Sequence, residues 1–405
     1  MILVINCGSS SLKYELFTLS DERSIANGIA ERVGTNGGTE AVLKHKCNGT
    51  TWETEAPMPD HAVALRQVLD ALVNCECRAL DSLDQIRAVG HRVVHGGERF
   101  SQSVVISDDV IAAIEAMCEL APLHNPANLI GIRACQQLLP SVPQVAVFDT
   151  AFHQTMPVHA YLYGLPYELY EKHGIRRYGF HGTSHRYVSG IASDLLAERG
   201  LPRREHKVVT CHLGNGCSMA AIKGGKCVDT TMGLTPLEGL LMGTRCGDLD
   251  PAVPLYLMDQ LKMSNKQVDT IMNKESGLLG VSGVSNDMRD IQRAKNANPR
   301  AQAALDLFCY RVRKYIGAYA AAMGGVDAVV FTAGIGENDP PLVAQVMEGL
   351  AFLGLHLDSA KNAQPKPNAI GWDLATDDSP GRIYIIPTDE ERTIARDAKL
   401  LVANQ

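Results

Sequence analysis

The chain of 405 residues has no long basic block, no uninterrupted apolar run long enough to cross a bilayer, no paired CxxC spacing and no GxxxxGK(S/T) phosphate loop. With 38 Lys and Arg against 45 Asp and Glu, a formal net charge of −7, neither a nucleic-acid footprint nor a patch for anionic membranes is predicted, so any anion site must be local. The most lipid-like stretch, Ile316 to Ile335, is broken by Gly324 and Gly325 and interrupted by Asp327, which predicts helix, turn and strand rather than a membrane span. The eleven cysteines are odd in number and scattered from Cys7 to Cys309, a placement that fits reduced thiols better than a disulfide frame. Cys75 and Cys77 are too isolated in sequence to suggest zinc. The opening MILVINCGSSS holds about five apolar residues, a strand and too short a run for a secretory signal, so a cytoplasmic protein is expected.

What is present is ordinary globular composition, 45% hydrophobic and 20% charged, in a length that suits about two or three domains. Short β-branched runs (Ile2 to Ile5, Arg87 to Val94, Gln144 to Phe148, Lys207 to Cys211, Asp327 to Thr332, Arg382 to Ile386) alternate with longer helical patterns, which predicts α/β layers. Open sheets of this kind bind ligands at strand ends, and several of these runs end in glycine-rich or acidic turns. One internal repeat stands out. VINCGSSSLKYEL, beginning at Val4, can be laid on VTCHLGNGCSMAAI, beginning one position early at Val209, so that at an offset of 206 Asn6 falls on His212, Gly8 on Gly214 and Ser10 on Gly216. Each copy reads as strand, tight turn and second strand, either two chance hairpins or two related halves around a nucleotide cleft. A helix is predicted from Thr183, with Thr183 or Ser184 as cap, to Gly200. Thr388 with Glu391 gives a capping-box signature for a last helix, packed back on the first lobe.

Several segments carry residues suited to phosphate or carboxylate chemistry. NCGSSSLK, Asn6 to Lys13, has a glycine for close approach, three hydroxyls and a lysine, although a plain serine-rich hairpin has the same composition. HLGNG, His212 to Gly216, is a second such turn. VVFTAGIGEN, Val329 to Asn338, is a third, with Gly334 and Gly336 open to a flat ligand and Asp339 and Pro340 starting a helix. In GHRVVHGGE, Arg92 ends a strand, where its planar fork suits a carboxylate or phosphate, or a neighbouring acid. Arg245 in MGTRCGDLDP could meet it, and two converging arginines suit an anionic acceptor and a transferring phosphoryl group. Asp149, just past an apolar strand, reads as a ligand-facing acid rather than a solvated one, or else as an Asx turn or helix cap. His181 and His185 share metal-ligand spacing but lack a Glu partner, so His181 at a helix N-terminus reads instead as a phosphate-stabilising donor. Of Asp389, Glu390 and Glu391, the middle residue is left as the candidate Mg²⁺ holder.

Taken together, NCGSSSLKY, GHRVVHGGE, APLHNP, FDTAFHQT, RRYGFHGTSH, HLGNG, GLTPLEGLLMGTRCGD, NKESGLLGVSGVSND, FTAGIGEN and IPTDEE closely resemble the acetate kinase family, in order, from residue 2 to about residue 400. The resemblance implies an α/β protein with the duplicated actin-like ATPase fold, two ribonuclease-H-like lobes around an interlobe cleft. Their expected extents are 1–150 plus about 388–405 for the N-terminal lobe and 151–387 for the nucleotide-binding lobe. It implies reversible, Mg²⁺-dependent phosphoryl transfer from ATP to acetate, with Mn²⁺ as a substitute metal and a homodimer as the usual state. Propionate kinase is the nearer alternative and a non-catalytic ATP-binding switch the farther one.

Residue by residue, the resemblance implies that Asn6 and Glu390 help place the metal and that Lys13 lies near the nucleotide phosphates. His212, Leu213, Gly214, Asn215 and Gly216 form the other phosphate turn. Asp287, Met288 and Arg289, with Gly334, Ile335, Gly336, Glu337 and Asn338, form the adenosine pocket. Arg92 and Arg245 hold the acyl carboxylate and γ-phosphoryl, His181 the equatorial oxygens, and Asp149 is the catalytic acid. Val93, Leu123, Phe180 and Pro236 match the apolar acyl pocket, where Val93 in place of the alanine of many propionate-preferring relatives favours acetate. Two departures accompany the match: Asp389 stands where the family usually has Asn, and Cys246 where it usually has Ser. Adjacent Arg245 is expected to lower the Cys246 thiol pKa and make it sensitive to alkylation, unless Cys246 merely replaces a hydroxyl.

Overall fold

The computed structural model describes residues 1–122, 124–364 and 370–403. The chain divides into two compact units, Met1–Gln154 with Asp389–Gln405 and Thr155–Thr388. The first contains β1 (Ile2–Cys7), β2 (Ser11–Phe17), β3 (Ser24–Glu31), β4 (Val42–Cys47), β5 (Thr50–Glu55), β6 (Ala88–Val93), β7 (Val104–Val105) and β8 (Gln144–Phe148), in the sheet order β5-β4-β3-β2-β1-β6-β8-β7. The second contains β9 (Lys207–Leu213), β10 (Cys217–Lys223), β11 (Lys226–Thr230), β12 (Ala328–Thr332), β13 (Trp372–Asp373) and β14 (Arg382–Ile385), ordered β11-β10-β9-β12-β14-β13.

The two sheets share one plan. In each, a strand pairs antiparallel with the next strand of a hairpin on one side and parallel with a later strand on the other: β1 with β2 and β6, β9 with β10 and β12. A further parallel strand follows in each, β8 beside β6 and β14 beside β12. The repeat visible in sequence is therefore the opening hairpin of each unit, with β2 beginning at Ser11 and β10 at Cys217, 206 residues later. This is the duplicated ribonuclease-H-like arrangement of the actin-like ATPase fold.

Burial on both faces explains why the parallel strands read as continuous apolar runs. Alternate residues of β1 enter different cores. Leu3 and Ile5 join Leu65, Val68 and Leu72 of the helix His61–Asn74. Ile2 and Val4 join Val145, Val147, Ile394 and Ala398, the last two from the helix Glu390–Ala403. That helix approaches β6 closely at Gly90, where an added Cβ would lie 2.5 Å from Ile394 Cγ2.

Two predicted helix starts differ from those observed. The helix over Gly182–Glu198 begins after His181, which adopts the left-handed conformation (φ 56°) and supplies no side-chain cap. Neither Thr183 nor Ser184 caps it, because both lie inside the first turn and the Ser184 hydroxyl is hydrogen-bonded to His212 Nδ1 at 2.8 Å. The capping box of Thr388 and Glu391 does not form either. Asp389 caps the last helix by accepting from Arg392 N at 3.0 Å, while the Thr388 hydroxyl donates to Ser184 Oγ at 2.7 Å. Asp339 and Pro340 do open the helix Pro340–Met347, Asp339 accepting from Leu342 N.

Gly90→Ala is expected to push the last helix off β6 and lower stability by about 1–3 kcal/mol, the usual cost of overpacking a close contact. Urea unfolding of the two proteins checks it, and an unchanged midpoint contradicts the packing.

Candidate active site

In the first unit the candidate residues gather at the carboxyl ends of β1, β6 and β8. Arg92 is next to last on β6 and shares a face with Gly90, the face covered by the last helix. Its guanidinium donates from Nε to Asp149 Oδ1 at 3.0 Å and from Nη2 to Asp149 Oδ2 at 2.7 Å, a bidentate pair with an acid that is 1% exposed. Asp149 is thus neither an Asx turn nor a solvated acid. Its backbone N–H donates to Val93 O, which fixes it at the end of β8 beside β6. Glu390 lies 3.9 Å from Arg92 Nε on the other side. The Glu390 carboxyl is pushed up to about 7, first by burial, while Arg92 and Lys13 pull it back and Asp149 and Glu391 add to the rise. Asn6, half-buried near the end of β1, is the cross-strand partner of exposed Lys13 on β2. Lys13 lines a shallow groove with Glu15, Asn27, Lys44, Lys46 and Glu391. Asn6 offers a carboxamide oxygen and half-buried Glu390 a carboxyl group, the oxygen donor types that suit a hard divalent cation.

In the second unit the end of β9 and the turn to β10 carry a polar network. His181 Nδ1 and His185 Nε2 each lie 2.8 Å from Ser218 Oγ on β10, and His185 Nδ1 lies 2.7 Å from Thr210 Oγ1 on β9. One hydroxyl has one proton, so at least one of the two rings donates to Ser218. The His181 ring stacks on His212 with centroids 4.3 Å apart. Gly216 closes the turn, and a Cβ there would meet Arg245 Nη2 at 2.6 Å, so glycine admits the guanidinium to the turn backbone, with His181 Cε1 at an ordinary contact distance of 3.6 Å from the same position. Arg245 Nη1 donates to Pro236 O at 2.5 Å, and burial lowers the Arg245 pKa, the mark of a cation short of compensating negative charge.

A cavity of about 800 Å³ in the second unit is lined by Gly214, Asn215, Asp287, Met288, Arg289, Gly334, Ile335 and Asn338 from the sequence-based set, and by Asn286, Gln292, Asp339 and Pro341, which that set omits. Gln292 follows Met288 by four residues, one helical turn, and that spacing was the available signal. Gln292 Nε2 donates to both Asp339 oxygens, at 3.2 and 3.0 Å. Arg289 forms a bidentate pair with Asp287 at the mouth, which holds the Asp287 carboxyl down at about 2. AGIGEN is a short helix, Ala333–Asn338, rather than an irregular turn, and a Cβ on Gly334 would meet nothing. His212, Leu213, Gly216, Gly336 and Glu337 are not part of the cavity lining. Leu213 is fully buried, and Glu337 Oε1 instead accepts from Ala333 N at 2.9 Å and Thr388 N at 3.2 Å, tying the ends of β12 and β14.

Of the apolar set, Val93 is fully buried on the face of β6 opposite Arg92, packed with Phe100, Leu129, Ile132 and Phe148. Phe180 is 2% exposed, and Pro236 is half-buried with its carbonyl holding Arg245. Leu123 lies outside the described residues. The expected lowering of the Cys246 thiol pKa is overturned: burial raises it, and the Arg245 guanidinium donates to Pro236 O while the thiol donates to Gly247 O.

The fold and these strand-end clusters define a phosphotransferase-type α/β protein with the actin-like ATPase architecture. The structure superposes on acetate kinase from Porphyromonas gingivalis with a TM-score of 0.93 at 47% identity, covering 99% of each chain. It superposes on a propionate kinase from Francisella tularensis with a TM-score of 0.90 at 42% identity, again over 99% of each. In sequence it is 57% identical to acetate kinase from Alkaliphilus metalliredigens over 99% of this chain and 100% of the relative. Residues 1–396 match the model of the acetokinase family, and the chain belongs to that family.

With its pKa raised, Cys246 is expected to alkylate slowly at pH 7, and its rate to keep climbing above pH 9, the ordinary thiol value. Labelling kinetics read by mass spectrometry check this; a rate already level at pH 8 contradicts it.

Proposed function

We infer that the protein transfers the γ-phosphoryl group of ATP to acetate, reversibly, giving acetyl phosphate and ADP. Family membership and the names of the relatives support the reaction. The observation that carries the assignment of residues is Arg245: a half-buried guanidinium that turns to a carbonyl, beside the Gly216 turn and the His181 ring. Such a group is ready for the anionic oxygens of a transferring phosphoryl.

A carboxylic acid with a pKa of about 4 is ionised at pH 7, so the acceptor needs no general base. Its oxygen attacks the γ-phosphorus in line, and the charge spread over the equatorial oxygens is met by His181 and Arg245. Arg92 holds the acceptor carboxylate with the N–H groups that Asp149 leaves free. Asp149 is assigned a positioning role, since both its oxygens already engage Arg92. The 800 Å³ cavity takes the nucleoside, and the turn at Gly214 to Gly216 with Lys13 takes its phosphates. Asn6 and Glu390 hold the metal, Mg²⁺ with Mn²⁺ as a substitute, which when bound neutralises phosphate charge. A cytoplasmic homodimer completes the assignment.

The test is incubation with ATP, Mg²⁺ and acetate, propionate or butyrate, trapping acyl phosphate with hydroxylamine. Acetate is expected to give the highest kcat/KM, and no ATP-dependent hydroxamate with any acid sinks the reading. Arg245→Ala is expected to lower kcat by about 10²–10³-fold, the scale for losing one transition-state donor. Asp149→Asn is expected to lower activity severely, and near-full activity contradicts its role. Val93→Ala removes two methyl groups and is expected to lower the KM for propionate more than that for acetate, within the roughly 10- to 200-fold range available to such pockets. An unchanged ratio limits Val93 to core packing.

A further inference from the structure

Cys75 and Cys77 stand alone in sequence, but the sheet of the first unit brings a third ligand to them. His45 on β4 offers a ring nitrogen that lies, with the two sulfurs, in a group whose ligand atoms are all within 4.8 Å of one another. The sulfurs are 3.7 Å apart. Two thiolates bound tetrahedrally at about 2.3 Å from one Zn²⁺ stand about 3.8 Å apart, so the pair already has the spacing of two zinc ligands.

The surroundings of His45 are built to hold it. Tyr14 on β2, Gly28 on β3 and His45 on β4 face one another in register. A Cβ on Gly28 would sit 2.5 Å from the Tyr14 hydroxyl and 2.3 Å from Lys44 O, so only glycine lets the Tyr14 side chain pass over β3. The hydroxyl thereby reaches His45 Nδ1 at 2.5 Å, and Nε2, on the side of Cys77, donates to the Cys77 carbonyl at 3.2 Å, so that Nδ1 accepts from the Tyr14 O–H. A ligating histidine characteristically has its second nitrogen held by such a partner, which fixes the ring and its tautomer. His45 is fully buried and the two cysteines are half-buried, so a cation has a route in from the surface on the cysteine side.

We propose that Cys75, Cys77 and His45 form a binding site for a thiophilic divalent cation, Zn²⁺ by ligand chemistry, with the fourth position open to water. On binding, each thiol releases its proton to solvent and the neutral imidazole changes tautomer: Nε2 gives its proton to solvent, leaves the Cys77 carbonyl and coordinates the cation, while Nδ1 takes a proton from solvent and donates it to the Tyr14 oxygen. The site joins β4 to the segment after the helix His61–Asn74, and is separate from the residues assigned to phosphoryl transfer.

The test uses the full chain, reduced and stripped of metal with a chelator, and titrated with Co²⁺ and then Zn²⁺. One Co²⁺ per chain is expected, with a thiolate-to-cobalt charge-transfer band and the visible bands of a tetrahedral ion, both abolished by one equivalent of Zn²⁺. The double variant Cys75→Ser/Cys77→Ser is expected to lose the charge-transfer band while keeping acetate-dependent phosphoryl transfer, and each single variant to weaken it. Tyr14→Phe is expected to weaken Zn²⁺ affinity by about 10- to 100-fold, the usual cost of losing a histidine's outer partner. Zn²⁺ at about 100 times its Kd is expected to raise the unfolding midpoint by roughly 5 °C in the parent and not in the double variant. Absence of the band in the parent, or its full persistence in the double variant, overturns the proposal. So does a Zn²⁺-induced shift of equal size in both proteins.

Discussion

Within each unit the sequence must solve one constraint: a central strand that is paired along both edges and packed by a core on each face has no solvent-facing surface along its length, so polar function can only sit where the strand stops. β1, β6 and β8 run parallel, as do β9, β12 and β14. Their interiors are almost wholly apolar, and the polar groups follow at their carboxyl ends: Asn6, Arg92 and Asp149 in the first unit, His212, Thr332 and Thr388 in the second. Ligand sites beyond the carboxyl ends of parallel strands are the general rule for open α/β sheets. Here the rule appears twice, once per copy, with different residues. Only the hairpin is visibly repeated in sequence, with Gly8 of the first copy standing where Gly214 stands in the second.

That constraint also decides what was legible in the sequence. Strand β8 reads correctly to the residue, since QVAVF is buried at every position and bounded by turns. Strands β3, β4 and β5 escaped. SIANGIAE holds a central glycine, and TTWETE has no apolar alternation at all, because one face of this part of the sheet is open and pairing with β4 rather than burial holds β5 in place. The helix starts at Gly182 and Glu390 were misread for a related reason. Ser184 and Thr388 are good caps by type, but each hydroxyl has a tertiary partner, and the two are bonded to one another. A side chain with a long-range partner does not serve its local backbone, and nothing in the neighbouring sequence announces that choice.

The cysteines show the same limit from the other side. Adjacency in sequence suggested that Arg245 would activate Cys246, yet consecutive side chains diverge, and burial dominates the thiol. Distance in sequence suggested that Cys75 and Cys77 lacked a third ligand, yet three registered strands deliver one. In both cases the sequence names the chemical groups and only the pairing register tells which of them meet.

The two candidate arginines illustrate how charge is apportioned in a chain whose net charge is −7. Arg92 is neutralised in place: two of its N–H groups are committed to Asp149, and Glu390 stands 3.9 Å away. A hydrogen bond to a charged partner contributes about 1.5–3 kcal/mol, so this pair fixes the guanidinium plane rigidly and leaves little attraction for a second anion beyond the N–H groups still free. Arg245 is the reverse case. It is half-buried, its bonded partner is a carbonyl, and burial lowers its pKa, so its charge is held at a cost that a bound anion relieves. One arginine is therefore suited to orienting a carboxylate and the other to answering charge that develops during transfer, a division set by Asp149 standing at the end of β8 and the Pro236 carbonyl standing where a second acid could have been.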